Sequence, residues 1–416
     1  MSSSILIYGK WKVGQSLARF CKSIDQEYEI CDDTDAPKDF SSFKSIIPSP
    51  GIPSSHPIYQ TDKILSELDF LFSFIPKEFQ IHAVTGTDGK STTSWILYNF
   101  LKGGFSDSPL YLGGNFGTPL ADIILDIRSK EEKTGHIVLE VSSFMAYSLR
   151  TFYATNTILT NLHPDHLDWH KDLQEYYWAK LNLLAHTKNT IVYPESVLKV
   201  VPELADFPLQ ALVMSDVLPL ENNLLALSPE VFLDVSEKQL FGTHNLRNIY
   251  SAALLSLKLG MSAKTLSSVL PYISALPHRL QQISQKDDKI WIDDSKSTTA
   301  QSLYAALAAF APKKVYLIAG GKDKWDPFSE LSQYIKEYCA ECVCIGETKP
   351  IFLQACHDAF VPAISVQTMD EAVEHMSEHT QPGDIILLSP GCSSFDMFRD
   401  YEDRSEHFAR AIHARK

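Results

Sequence analysis

The chain is short of positive charge. It carries 37 lysines and arginines against 51 aspartates and glutamates, a formal net charge of −14 with histidine neutral. The sequence pI is near 5.4. That balance argues against a nucleic-acid binder, which needs a basic face for the phosphate backbone. A local basic patch for an acidic small molecule stays open. Long apolar runs are also missing: no stretch approaches the roughly 20 apolar residues that span a bilayer. The opening MSSSILIYGK has no charged residue before its short apolar run, so no signal peptide is expected and the chain reads as cytoplasmic. Cysteine is scarce, seven residues in 416. An odd count in a long chain argues against a disulfide framework. Cys339, Cys342 and Cys344 cluster in YCAECVCIGE without a matching Cys/His pair nearby. They are expected as reduced thiols in a buried strand rather than as a metal or redox site.

Repeats and low-complexity segments are absent too. At roughly 100–200 residues per domain, the length suggests two to four domains. What is present is an alternation of strand and helix patterns, which favours α/β domains with mostly parallel sheets. ILIYG, a helix from about Gly14 to Ser23, YEICDD and SIIPSPGIP form a first Rossmann-like unit of about 80 residues. A second unit begins at IHAVTGTDGKSTTSWILYNFL. It continues through HIVLEVS, NTILTNL and a long helix over about Leu173 to His186, and closes near Leu276 after GTHNLRNIYSAALLSLKLG. Val192 to Leu240 is weakly patterned. A third unit starts around LPHRLQQI. It runs through KIWIDDSKST, a helix to Phe310, KKVYLIAGG, a helix, CVCIG, a helix, DIILLSPG and a terminal helix. The expected boundaries are 1–79, 80–276 and 277–416.

The stretch AVTGTDGKSTT carries the strongest chemical signal. It is a glycine-rich turn between an apolar strand and a helix, the setting in which backbone N–H groups and a helix N-terminus hold phosphate. The usual G-x-x-x-x-G-K-[ST] spacing is shortened to Gly86, Thr87, Asp88, Gly89, Lys90, Ser91, Thr92. Lys90 suits the β- and γ-phosphates, and Ser91 or Thr92 suits Mg²⁺. A dinucleotide site is disfavoured at the first strand, because Trp11 stands where G-x-G-x-x-G needs its middle glycine.

Several charged constellations follow strands. TNLHPDHLDWH packs His163, Asp165, His166, Asp168 and His170 into one loop. Such side chains suit Mg²⁺ or phosphate chemistry, or equally a polar loop capping the next helix. Glu140 ends an apolar strand, as a metal ligand or a strand-end acid. Lys180 sits among apolar helix neighbours, where a snorkelling surface lysine is the default. Arg279, Asp294, Lys296 and Thr298 cluster in LPHRLQ and IDDSKSTTA. Arg279 could stabilise charge on a transferring phosphoryl group, whereas Asp294 and Lys296 could equally form a surface ion pair.

Taken together, these motifs resemble the Mur ligases, the ATP-dependent amide-forming enzymes of peptidoglycan precursor synthesis. The resemblance covers nearly the whole chain and keeps the family's motif order. The ending LLSPGCSSFDMFRDYEDRSEHFA is similar to the branch that adds D-glutamate to UDP-N-acetylmuramoyl-L-alanine. The D-N-P-R motif of the diaminopimelate-adding branch is missing. The resemblance implies an α/β fold of three domains: a Rossmann-like UDP-binding domain, a central P-loop ATPase domain and a Rossmann-like C-terminal domain. It implies ATP and Mg²⁺ as cofactors, small-molecule substrates only, and a monomer. It also implies roles. Gly86 to Thr92 would cradle ATP, with Asn245, Asn248, Arg279 and Asp294 around its adenine, ribose and phosphates. Ser91 and Glu140 would serve one Mg²⁺, and His166 with a carbamylated Lys180 a second. Lys90, Glu140, His166 and Lys180 form the catalytic set. Asn115 and Ser142 would meet the muramoyl-alanine arm. Lys296, Thr298, Lys324, Ser394, Phe395 and Tyr401 would lie near the substrates, several of them around D-glutamate. Lys12, Val13, Asp33 and Thr34 fall at the UDP moiety. Asp88 departs from the pattern, standing where the family usually has asparagine, and GGKDK replaces a more usual acid-first version.

Three other readings compete. A folylpolyglutamate-synthetase-like ligase would share the fold, but SPGCSSFDMF argues against it. A nucleotide-hydrolysing regulatory module would turn over ATP without making an amide. A nicotinamide oxidoreductase would have to accommodate Trp11.

Overall fold

A computed structural model describes residues 4–35, 39–167, 169–323 and 328–414. The chain divides into two compact units, Met1–Ser236 with Arg247–Leu270, and Glu237–Leu246 with Pro271–Lys416.

Among the described residues, the first unit contains three sheets. The smallest parallel sheet joins β1 (Ile5–Tyr8), β2 (Tyr28–Cys31) and β3 (Ser45–Pro48) in the order β2-β1-β3. The second is a six-stranded parallel sheet of β4 (Glu78–Thr85), β5 (Leu110–Gly114), β6 (Thr134–Glu140), β7 (Ala154–Leu159), β8 (Thr187–Pro194) and β9 (Gln210–Met214). Its order is β5-β6-β4-β7-β8-β9. Strand β4 lies centrally, and the chain leaves it first toward β5 and β6 on one side, then toward β7 on the other. That reversal opens a crevice at the carboxyl end of β4, where open α/β sheets bind ligands. The strand is buried at every residue from Ile81 to Thr85, as a central parallel strand covered on both faces must be. One continuous apolar core runs from Ile5, Leu17 and Phe20 through Leu71 to Ile81, Leu120, Ile124 and Ile137.

The weakly patterned stretch from Val192 to Leu240 holds β9 and a small antiparallel sheet of β10 (Leu220–Glu221), β11 (Leu224–Ser228) and β12 (Val231–Asp234). Its strands expose most residues, so their apolar alternation is faint.

The second unit carries a six-stranded sheet of β13 (Gln281–Ser284), β14 (Ile290–Asp293), β15 (Val315–Gly320), β16 (Cys339–Ile345), β17 (Ala363–Ser365) and β18 (Ile385–Leu388). The order is β13-β14-β18-β15-β16-β17, parallel except for the antiparallel edge strand β13. Two local expectations need correction. Between CVCIG and DIILLSPG the sequence suggests one helix, whereas the chain forms helix Lys349–Ala359, edge strand β17 and helix Met369–His379. A strand of three partly exposed residues leaves no period to read. The helix expected to begin at Gly14 begins at Lys12. All seven cysteines are buried free thiols. No helix among the described residues is long and apolar enough to cross a membrane.

Candidate active site

The glycine loop emerges at the carboxyl end of β4 and feeds helix Lys90–Gly104. Gly89 precedes that helix at φ +77°, a left-handed conformation that glycine adopts without strain. A Cβ there would also stand 2.5 Å from Asn248 Oδ1. Asn248, on helix Thr243–Lys258, additionally accepts from the Thr93 hydroxyl at 3.2 Å. Asn248 thus packs directly against the loop.

Asn161, just beyond β7, holds the loop from the other side. Its Oδ1 accepts from the N–H groups of Thr87 (3.2 Å) and Asp88 (2.9 Å), and its Nδ2 donates to Asp88 O. The Thr160 hydroxyl donates to the same carbonyl at 2.6 Å. The Thr87 hydroxyl donates to His163 O and accepts from the His163 N–H and from Tyr176 OH, each at 3.0–3.1 Å. Asn161, Thr160 and Tyr176 are site-shaping residues missed by the sequence reading. The one available signal for the first two is their position directly after a strand. The Lys90 ammonium bends back to Thr87 O at 2.7 Å. Ser91 and Thr92 are half-buried in the first helical turn, and Asp88 is exposed at the loop tip.

Glu140 ends β6 in register with Val84 of β4, so its carboxylate lies beside the loop. It is 1% exposed. One oxygen accepts from Asn115 Nδ2 at 2.7 Å, which unites two expected residues. The other, Oε2, is buried and has no hydrogen-bond partner among the described residues. An ionised carboxylate oxygen kept from water without a partner is costly unless a cation or donor meets it. Ser142, two residues on, caps a short helix by accepting from Met145 N–H.

Lys180 is not a snorkelling surface lysine. It projects from helix Leu173–Ala185, is 1% exposed, donates to Gly86 O at 2.7 Å and lies 4.5 Å from the centre of the Tyr176 ring. Burial, and next the Lys90 ammonium, push its pKa well below the ordinary lysine value. His166 is half-buried at φ +53°, 3.4 Å from Asp165, with its ring against Phe144. His170 contacts the Ser143 hydroxyl at 2.9 Å. Asp168 lies outside the described residues. Among the described residues, no group of three or more His, Cys, Asp and Glu side chains could hold a metal ion. The cation fit therefore rests on the buried, unpartnered Glu140 Oε2.

At the first sheet, Gly9 (φ +115°) and Gly14 close the turn after β1, and a Cβ on Gly14 would sit 1.9 Å from Gly9 O. Trp11 points outward and is 81% exposed. Lys12 Nζ donates to Gly117 O at 2.9 Å, and Val13 lies half-buried one residue later. Thr34 is turned back onto Asp32, while Asp33 pairs with Tyr8 and His56.

In the second unit the predicted residues gather after β14 and β18. Asp294 is buried, and its oxygens accept from Leu280 N–H and the Ser389 hydroxyl. Burial raises its pKa to about 7. It forms no surface ion pair with Lys296. The Lys296 ammonium instead lies 5.2 Å from the centre of the half-buried Tyr401 ring. Arg279 is exposed, Thr298 half-buried, Ser394 buried and Phe395 exposed. Asn245 is buried and donates to Phe241 O. Lys324 lies outside the described residues.

Residues 84–201 match the model of the Mur ligase middle domain, and residues 278–392 that of the Mur ligase glutamate ligase domain. Over 98% of each chain, the sequence is 30% identical to the UDP-N-acetylmuramoylalanine–D-glutamate ligase of Aquifex aeolicus (strain VF5). Its fold is like that of UDP-N-acetylmuramate-alanine ligase from Thermotoga maritima, with TM-score 0.63, 16% identity, and 99% and 100% of the two chains covered. MurF ligase from the same organism, in complex with ADP, gives TM-score 0.62 at 16% identity, covering 99% of this chain and 95% of that one.

Proposed function

The chain belongs to the Mur ligase family, and on that premise we propose that it joins D-glutamate to UDP-N-acetylmuramoyl-L-alanine at the expense of ATP. The observation that carries this reading is the glycine loop at the switch point of the central sheet, with the unpartnered oxygen of Glu140 beside it. Relatives that bear the name of the D-glutamate ligase over nearly the full length support the choice of amino acid. A division into three domains, 1–79, 80–276 and 277–416, is part of the same reading.

A carboxylate is a poor electrophile, so the chemistry needs an activating step. An oxygen of the alanyl carboxylate attacks the γ-phosphorus of ATP. The bond from that phosphorus to the β–γ bridging oxygen breaks, giving an acyl phosphate and ADP. The amine of D-glutamate, once deprotonated, attacks the acyl carbon. The tetrahedral intermediate then expels inorganic phosphate as the amide forms.

The residues serve positioning and charge, as phosphoryl transfer demands. The N-terminus of helix Lys90–Gly104 faces the phosphates, and Lys90 turns from Thr87 O to meet them. Glu140 and Ser91 would hold Mg²⁺, which would neutralise phosphate charge. Lys180, whose pKa burial lowers well below the ordinary lysine value, would add carbon dioxide at its amine. The resulting carbamate, with His166, would supply oxygen and nitrogen donors to a second cation. Asn115 and Ser142 flank the alanyl end. Arg279, Asp294, Asn245 and Asn248 are assigned to the nucleotide. Lys296, Thr298, Lys324, Ser394, Phe395 and Tyr401 are assigned to the amino-acid side.

Atom balance supplies the test. With ¹⁸O in the alanyl carboxylate, one labelled oxygen leaves with the phosphate, because the attacking oxygen departs in the second step. Phosphate released without label would overturn the acyl-phosphate route.

A further inference from the structure

The loop after β7 supplies His163, His166 and His170, but its tryptophan has no part in the chemistry above. Trp169 is 6% exposed, in a polar loop that carries no helix or strand among the described residues from Thr160 to Asp172. Two features hold it. Its ring stacks on Phe144 with centroids 4.7 Å apart, and Phe144 meets the His166 ring edge-on at 4.8 Å. Its polar atoms reach the first sheet. The indole Nε1–H donates to Pro50 O at 3.0 Å, and Trp169 O accepts from Ser54 N–H at 3.3 Å. The Ser54 hydroxyl lies 3.0 Å from both Trp169 O and Glu175 Oε2.

Pro50 and Ser54 belong to the loop that follows β3. That loop is bonded to the turn after β1: Ser49 donates its N–H to Tyr8 O at 2.7 Å and its hydroxyl to Gly9 O at 3.3 Å. At its other end the tryptophan loop grips the glycine loop, where Asn161 and His163 both bond to Thr87. Trp169 N–H and His170 N–H each donate to His166 O, so the left-handed turn at His166 is held from the tryptophan side. Residues 161–170 are therefore a bridge. One end lies on the loop assigned to ATP, and the other beside the turn assigned to the UDP moiety. A segment with no helix or strand of its own loses backbone freedom when it is fixed. A ligand that fixes one end of a latched bridge leaves less freedom to be lost at the other.

Resting on the assignment of the glycine loop to ATP and of the first sheet to UDP-N-acetylmuramoyl-L-alanine, we propose that Trp169 and Ser54 are positioning residues whose latch onto the loop after β3 couples the two sites, so that each substrate binds tighter when the other is bound. The coupling is reciprocal, because it is one free energy shared by two ligands. It depends on the donors of the latch rather than on the bulk of the indole. The stack on Phe144 keeps His166 in place, and only the bonds to Pro50 and Ser54 carry that position to the first sheet.

Titration calorimetry of the full chain, with Mg²⁺ and without D-glutamate, tests this directly. The probes are UDP-N-acetylmuramoyl-L-alanine and the ATP analogue with an imido bridge between its β- and γ-phosphorus atoms, which resists phosphoryl transfer. The wild type is expected to bind each probe at least about fivefold tighter when the other is saturating, by the same factor in both directions. Trp169→Phe keeps an aromatic ring against Phe144 and removes the donor to Pro50 O. Ser54→Ala removes the hydroxyl alone. Each is expected to leave the two affinities measured singly within about twofold of wild type and to bring the coupling factor toward one. The double variant loses no more coupling than Trp169→Phe, since both changes cut one latch. Trp178→Phe, which removes an indole that is 51% exposed, keeps the wild-type factor. Thermal melts establish that each variant is folded, and Ser54→Ala carries the test if Trp169→Phe is not. A role in folding alone would lower the melting temperature or weaken both probes equally and leave the factor unchanged. That result, or a wild type that binds the two probes independently, overturns the proposal while the assigned reaction stands. A wild type that binds neither probe defeats the assigned reaction, and the proposal with it.

Discussion

Asp88 puts a negative charge at the tip of a loop built to hold phosphate. Its N–H is taken by Asn161 and its carbonyl by Asn161 and Thr160, so its backbone is fixed while its side chain is exposed. Replacing it by asparagine keeps the shape and removes the repulsion. Asp88→Asn is expected to lower KM for ATP by about two- to fivefold, with the difference shrinking as salt is added. An unchanged KM at low salt would mean that the carboxylate is already neutralised in the complex. Lys180 is the opposite case, a cation at a position that penalises cations. Lys180→Arg imposes a charge that cannot be lost. It is expected to reduce ligation by about a hundredfold or more, and to abolish the mass increase of one carbon dioxide sought by native mass spectrometry. Arginine that supports normal turnover would rule out a carbamate there.

At the scale of elements, the loop works because two strand ends clamp it. Asn161→Ala removes three hydrogen bonds, two of them to loop N–H groups. The expected result is a KM for ATP raised about tenfold, with a smaller change in kcat and a lower melting temperature. The contrast between loop and clamp explains what the sequence disclosed. Gly86 to Thr92 are contiguous, so spacing alone reveals them, and Glu140 and the HPDH loop are legible as polar residues at strand ends. The clamp is not legible, because Asn161 meets Thr87 across 74 residues and Tyr176 meets it across 89. Those contacts exist only after β4 and β7 pair. The same reasoning covers Lys180: helical spacing places it among apolar neighbours, but only the packed fold shows that its ammonium faces inward. The exposed strands β10 to β12 and the short β17 were hidden for lack of periodicity rather than of contacts.

The whole molecule has a built-in sensitivity to acid. His82 and His136 lie in the central sheet with their rings joined by a 3.1 Å hydrogen bond, and Asn156 fixes the other nitrogen of His82. Burial, and next His136, push the His82 pKa from 6.5 to about 3. The unfolded chain therefore binds a proton at this residue between those two values while the folded chain does not. Stability is lost as pH falls through that window, by at most about 1.4 kcal/mol per pH unit from this residue. His82→Gln is expected to flatten the decline of the urea midpoint between about pH 7 and about pH 4 relative to wild type. Identical slopes would mean that His82 is already protonated in the fold. The central claim at this scale is that the chain carries out one reaction, the making of an amide. The measurement that tests it most directly is phosphate release from ATP and Mg²⁺ with UDP-N-acetylmuramoyl-L-alanine, with D-glutamate, with L-glutamate and with neither. The account predicts stoichiometric phosphate and amide with D-glutamate only. Phosphate release indifferent to both substrates would contradict it and make the chain a nucleotide-hydrolysing module.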